Sequence, residues 1–133
     1  MYRILLAEDN PGDVLLLREA LANSAIICEL MVAEDGQKAI ALLQAVAADV
    51  TRLPDLIILD VNLPKHNGGE VLAHVRGDPA FSLVPVLMLT SSASPADQAT
   101  ASRLGANLYI QKPSDLDAFL GLGKVIASLL ADH

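Results

Sequence analysis

The chain has 133 residues, a length that favours one domain with a substantial buried core. Hydrophobic residues make up 53% of it, but no apolar run reaches the roughly 18 residues of a membrane helix, and the N-terminus does not resemble a secretory signal. Nucleic-acid binding is disfavoured, because the formal net charge is −7, the aromatic content is 3% and no basic stripe is present. The single cysteine, Cys28, is interpreted as a packed thiol and favours a reducing, cytoplasmic compartment.

Short apolar runs alternate with segments of helical periodicity along the chain. In chain order, the predicted elements are a strand at 3–7, a helix beginning at Pro11, a strand at 25–33, a helix at 35–48, a strand at 56–59, a helix at 67–77, a strand at 84–90, a helix at 94–105, a strand at 106–110 and a helix at 113–132. Asn10 and Ser94 are predicted N-caps, each followed by proline at the first helical position. Ser114 with Asp117 predicts a capping box for the last helix.

Five strand–helix repeats with continuously apolar strands predict a parallel sheet covered by helices on both faces. Right-handed crossovers make this a doubly wound α/β domain with five strands. No linker or low-complexity segment interrupts the pattern. Residues 1–133 are therefore predicted to form a single domain without an effector domain.

Polar side chains gather at the carboxyl ends of four predicted strands, where open parallel sheets bind ligands. These residues are Glu8 and Asp9 after the first strand, Asp60 after the third, Thr90 at the end of the fourth and Lys112 after the fifth. Each alone is compatible with a surface turn or a helix cap, but their joint placement predicts a site.

Three carboxylates close together repel one another, and a hard divalent cation such as Mg²⁺ relieves that repulsion. Lys112 would supply a point charge for a phosphate, and Thr90 would donate a hydrogen bond to it. The sequence carries no P-loop, no kinase glycine-rich loop and no cysteine nucleophile. The pattern therefore predicts a phosphoryl site with a metal, in which Asp60 is the nucleophile.

The motifs "LLAEDNPGD", "LIILDVNLP", "VLMLTSS" and "YIQKP", with their spacing, resemble the response-regulator receiver domain of two-component signalling over essentially the whole chain. The resemblance implies the flavodoxin-like strand order 2-1-3-4-5 and phosphoryl transfer from a histidine kinase to Asp60. It also implies that Asp9 binds Mg²⁺ directly, that Glu8 binds it through water, and that Asn62 offers it a backbone carbonyl.

The same resemblance implies a switch. Lys112 would contact the phosphoryl group, Thr90 would move toward it, and Tyr109 would change rotamer with Thr90. Pro113 would follow a cis peptide bond.

Two regions depart from the commonest pattern of the family. The loop at 65–69 lacks the usual methionine and aspartate but retains Gly68, so the turn should form while its partner contacts stay open. The segment at 45–54 is longer than in the shortest receivers. This length and "EDNPGD" resemble stand-alone receivers that serve phytochrome-type histidine kinases, which implies a bacteriophytochrome as the partner.

Two other activities remain open from the residues alone. A Mg²⁺-dependent aspartyl-phosphate phosphatase of small substrates would share the nucleophile but needs a general acid and a substrate pocket. A flavin carrier would share the fold, but the acidic residues after the first strand disfavour a nucleotide phosphate. Some polar residues are predicted to lie at the surface without a role in the site: Glu34, Asp35, His66, His74 and His133.

The helix at 95–104 contains one large apolar residue, Leu104, which suggests a weakly held element that can shift. The last helix, in contrast, carries more apolar residues than one buried stripe requires. We therefore predict a two-fold homodimer surface formed by the fourth helix, the fifth strand and the fifth helix.

Overall fold

A computed structural model describes residues 1–131, and its five strands pair in parallel. The strands are β1 (Tyr2–Ala7), β2 (Cys28–Ala33), β3 (Leu56–Leu59), β4 (Val86–Thr90) and β5 (Leu108–Gln111). The helices are α1 (Pro11–Asn23), α2 (Gly36–Ala47), α3 (Gly68–Gly77), α4 (Pro95–Arg103), α5 (Leu116–Leu120) and α6 (Leu122–Ala131). The strand order is β2-β1-β3-β4-β5, which confirms the doubly wound, flavodoxin-like prediction.

Alternate side chains of the strands pack into two separate cores. Ile4 and Leu6 of β1 pack with α1, α5 and α6, whereas Leu5 and Ala7 pack with α2, α3 and α4. All residues of β3 and β4 are buried, because helices cover both faces of the sheet there. Cys28 is partly buried against the first of these cores, as predicted for a packed thiol.

Helix starts follow the predicted caps more closely than strand starts follow the apolar runs. The side chain of Asn10 accepts hydrogen bonds from the backbone N–H groups at the start of α1, and Ser94 does the same for α4. β2 begins three residues later than predicted, at Cys28. Ala25 has φ 55°, so the chain is still turning there and cannot yet join the sheet.

The prediction of the last helix, at 113–132, is wrong in two respects. Its N-cap is Asp115, whose Oδ2 accepts from the N–H of Ala118 at 3.0 Å, so the predicted box of Ser114 and Asp117 does not form. The helix also divides at Gly121 into α5 and α6. Glycine stabilises a helix interior less than other residues do, so a short run can end there.

Gly123 in α6 allows this helix to lie directly on α1. A Cβ atom at Gly123 would stand 2.3 Å from Oγ of Ser24 and 2.4 Å from the carbonyl oxygen of Ala20. Residue 132, the predicted helix end, and His133 lie outside the described residues. Within residues 1–131, the helices are too short or too polar for any of them to cross a bilayer.

Candidate functional site: an acidic pocket at the carboxyl edge of the sheet

Asp60 follows the central strand β3, and its backbone is held firmly. Its N–H donates to the carbonyl oxygen of Ala7 at 3.1 Å, which continues the ladder between β1 and β3 by one residue. Its side chain is only 6% exposed. The carboxylate therefore lies at a rigid, sheltered position at the edge of the sheet.

The loop after Asp60 closes tightly, as the retained Gly68 predicted. The N–H of Gly68 donates to the carbonyl oxygen of Val61 at 2.9 Å, and a Cβ atom at Gly68 would lie 2.1 Å from the carbonyl oxygen of Asp60. Lys65 accommodates the turn with φ 69°. No larger side chain fits at Gly68 without moving the backbone that carries Asp60.

Glu8, Asp9 and Asp60 come together as the sequence predicted. One carboxylate oxygen from each lies within 4.8 Å of the others. Glu8 is buried and Asp9 is exposed, so the group is open to solvent on one side. Oxygen donors at this spacing, with one open side, fit a hard divalent cation that keeps several waters.

Asn62 lies beside this group. Its N–H donates to Oδ1 of Asp60 at 3.1 Å. This bond holds the first residues of the loop against the Asp60 carboxylate.

Lys112 reaches the same point from the end of β5. Its ammonium contacts Oε1 of Glu8 at 2.5 Å, Oδ2 of Asp13 at 2.8 Å and Oδ2 of Asp60 at 2.9 Å. Its side chain is only 10% exposed. A buried cation that contacts three carboxylates compensates part of their mutual repulsion.

The predicted cis bond before Pro113 is not present, because every peptide bond in residues 1–131 is trans. The free energies of the two isomers of a bond before proline differ by only about 0.5–1 kcal/mol, so local sequence does not determine which one forms.

The backbone of Lys112 is held by β4. Its N–H donates to the carbonyl oxygen of Thr90 at 2.7 Å, which orients the Lys112 side chain toward the pocket.

Thr90 is fully buried at the end of β4, and its Oγ1 donates to Oδ1 of Asp60 at 2.6 Å. The two predicted switch residues, Thr90 and Tyr109, meet through Ser92. The Tyr109 hydroxyl donates to the carbonyl oxygen of Ser92 at 2.9 Å, and the Ser92 N–H donates to Oγ1 of Thr90 at 3.3 Å. Ser92 also donates from Oγ to Asp97 of α4 at 2.6 Å.

The pocket shifts the pKa values of Glu8 and Asp60 in opposite directions. Burial raises the pKa of Glu8 to about 7, although the Lys112 ammonium acts against the rise. Burial also acts to raise the pKa of Asp60, but hydrogen bonds from Thr90 and Lys112 outweigh it and hold that pKa below its ordinary value. The pKa of Lys112 is raised, since its carboxylate contacts, the one with Asp13 foremost, outweigh burial. Of these two carboxylic acids, Asp60 is therefore the one that ionises more readily.

Sequence reasoning missed Asp13. Its only visible signal was an acid in the first turn of a helix, which ordinarily complements the helix dipole. Its contact with Lys112 joins residues 99 positions apart and could not be read from local pattern.

Of the residues predicted to lie at the surface, Glu34 and His66 do so, and His66 pairs with Glu70 at 2.8 Å. Asp35 differs from the prediction: it is buried, with 7% of its surface exposed, because it caps α2 by accepting from the N–H of Lys38. His74 differs as well. It is partly buried, and its Nε2 is shielded without a hydrogen-bond partner among the described residues.

Comparison with known proteins agrees with this geometry. The family model of the response regulator receiver domain matches residues 4–122. Response regulator Rcp1 of Synechocystis sp. (strain ATCC 27184 / PCC 6803 / Kazusa) is 40% identical over 114 residues, which cover 85% of this chain and 78% of Rcp1.

Two solved structures are similar over nearly the whole chain. The phosphorylated cyanobacterial phytochrome response regulator RcpA has a TM-score of 0.87 and 39% identity, covering 98% of this chain and 94% of RcpA. The Mn²⁺-bound form of Rcp1 has a TM-score of 0.84 and 36% identity, covering 96% and 93% of the two chains. The extent of the family match, together with these relatives, shows that this chain belongs to the response-regulator receiver domain family.

Proposed function

We propose that this chain is a stand-alone response regulator that accepts a phosphoryl group on Asp60 from a phosphohistidine of a sensor kinase. The observation that carries the proposal is the environment of Asp60. One carboxylate oxygen accepts from Thr90 at 2.6 Å, the other contacts the Lys112 ammonium at 2.9 Å, and two further acids stand beside it.

The transfer forms one bond and breaks one. A carboxylate oxygen of Asp60 attacks phosphorus, the bond between phosphorus and the imidazole nitrogen breaks, and the electron pair leaves with the imidazole. The product is an acyl phosphate. Lys112 and Thr90, which both contact the Asp60 carboxylate, would bind the oxygens of the incoming group. Such pre-arranged charges and dipoles are the main source of catalysis in phosphoryl transfer.

Glu8, Asp9, Asp60 and the backbone carbonyl of Asn62 would hold Mg²⁺ in this pocket. The spacing of the three carboxylates fits that ion. Mg²⁺, when bound, supplies positive charge to the phosphoryl oxygens. The similarity to Rcp1, whose structure is described as Mn²⁺-bound, supports a divalent cation here. We propose that catalysis is confined to the domain's own phosphorylation and the later hydrolysis of the acyl phosphate by water.

The partner we propose is a histidine kinase of the phytochrome type, a bacteriophytochrome being the simplest candidate. The support is similarity to RcpA, which is described as a phytochrome response regulator. We place the protein in the cytoplasm, where such kinases present their phosphohistidine. Residues 1–133 would act as one receiver domain.

We also propose that phosphorylation acts on a homodimer surface formed by α4, β5 and the helical segment that follows. α4 contributes only Ala101 to the buried residues, and the edge strand β5 leaves Leu108 37% exposed. Helices α5 and α6 add less exposed apolar surface than expected, because four of their large apolar residues are buried in the core: Phe119, Leu122, Ile126 and Leu130. The support therefore comes from α4 and β5.

The acceptor is tested by incubating the protein with acetyl phosphate or a phosphorylated kinase. Asp60→Asn should abolish labelling while leaving the circular dichroism spectrum unchanged. Asp117→Asn, an exposed aspartate in the first turn of α5, is the matched control and should be labelled normally. A chelator should abolish labelling of the wild type. Label that persists in Asp60→Asn would move the acceptor to another residue.

A further inference from the structure

Lys112 has three N–H donors, and three carboxylates from separate parts of the chain take them. Glu8 follows β1, Asp13 lies in the first turn of α1, and Asp60 follows β3. Glu8 and Asp60 belong to the acidic group that fits a cation, whereas Asp13 does not. Asp13 is therefore the one partner of Lys112 that a bound metal would leave available.

Asp13 is held in place independently of Lys112. Its backbone N–H donates to Oδ1 of Asn10 at 3.3 Å, and the same oxygen accepts from Gly12 at 2.9 Å. Pro11 fixes the backbone at the first helical position. The Asp13 side chain is 24% exposed, so its carboxylate keeps part of its contact with water.

The contacts of Lys112 create a competition. A cation that binds Glu8 and Asp60 competes for their negative charge with the ammonium, which lies 2.5 Å from Oε1 of Glu8 and 2.9 Å from Oδ2 of Asp60. The cost of this competition depends on what the ammonium can pair with afterwards. Burying a cation without a partner costs free energy, and the Asp13 carboxylate, 2.8 Å from the ammonium, lowers that cost.

We propose that Asp13 is a positioning residue that retains Lys112 when the metal takes the other carboxylates, and so sets the metal affinity of the pocket. This inference rests on the proposed function for its biological use, but its physical content concerns only cation binding. Without Asp13, Lys112 pairs more strongly with Glu8 and Asp60, and the metal binds less well.

The test measures binding of Mn²⁺ alone, by counting the free ion with electron paramagnetic resonance, and of Mg²⁺ by calorimetry. Asp13→Asn should weaken affinity about 10-fold, the lower end of the effect of residues that orient metal ligands. Glu19→Gln, an exposed acid on the same helix, removes the same charge and should change affinity less than about 2-fold, because exposed charges are screened. Asp13→Glu keeps the carboxylate and should recover most of the affinity.

A double-mutant cycle separates positioning from general electrostatics. In a Lys112→Met background, Asp13→Asn should have no larger effect than Glu19→Gln has in the wild type. An equal loss in both backgrounds, or a wild-type affinity in Asp13→Asn, would overturn the inference.

Phosphorylation by acetyl phosphate gives the second readout. Asp13→Asn should raise the Mg²⁺ concentration needed for half-maximal rate, with little change in the rate at saturating Mg²⁺. A lower rate at saturating Mg²⁺, with unchanged half-saturation, would contradict the inference. If the wild type takes up no phosphoryl group, the proposed function fails, while the metal-binding result still decides the role of Asp13.

Discussion

Arg76, in the last turn of α3, connects the end of this helix to the segment that follows it and to a turn about 30 residues further along the chain. Its guanidinium donates to the carbonyl oxygens of Phe81 and Val84 at 2.9 Å each, to that of Gly105 at 3.0 Å, and to Oδ1 of Asn107 at 3.0 Å. These bonds join the end of α3 to the connection between α3 and β4 and to the turn between α4 and β5.

Replacing Arg76 with methionine keeps most of the aliphatic stem and removes the four donors. The bonds to Phe81 and Val84 are partly buried, and at about 1.5 kcal/mol each for charged donors they account for about 3 kcal/mol. The other two bonds are exposed, so water replaces them at little cost. A loss of about 3 kcal/mol is large against a typical stability of about 5–15 kcal/mol.

Urea unfolding followed by circular dichroism measures this loss through the midpoint. Arg103→Met, at an exposed arginine in the last turn of α4, is the control and should change stability by less than about 0.5 kcal/mol. A loss below about 1 kcal/mol for Arg76→Met would show that water or other donors satisfy the two carbonyls and would refute the reasoning. Phosphorylation of Asp60 should be unaffected, since none of the four acceptors belongs to the acidic pocket.

Two further predictions concern the pocket and the output surface. Because burial raises the pKa of Glu8 from 4.5 to about 7, the metal-free folded protein binds more protons than the unfolded chain in that range, and its stability should fall as pH rises from 4.5 to about 7. Glu8→Gln should remove this dependence, worth at most about 3 kcal/mol, and identical pH profiles of urea midpoints for the two proteins would contradict it. Sedimentation with beryllofluoride, a phosphoryl mimic, should favour a dimer, and a monomer with and without it at high micromolar concentration would exclude the surface on α4 and β5.

The order of elements and the place of the site were predictable from the sequence, because both depend on local pattern. Continuous apolar runs such as 56–59, bounded by polar and proline-containing segments, are typical of strands buried on both faces, and parallel strands bring their carboxyl ends to one edge. The meeting of Glu8, Asp9, Asp60 and Lys112 followed from that topology alone. Helix starts at Asn10 and Ser94 were equally local, since a cap bonds to residues two or three positions away.

Other features were decided only by tertiary packing. The divided last helix, the trans bond before Pro113 and the cap at Asp115 turn on energy differences of about 1 kcal/mol, which neighbouring elements can override. The contact of Asp13 with Lys112 spans 99 positions and depends on how α1 lies against the end of β5. A carboxylate in the first turn of a helix is the same local signal whether it faces water or a buried ammonium, and only the folded chain determines which one it meets.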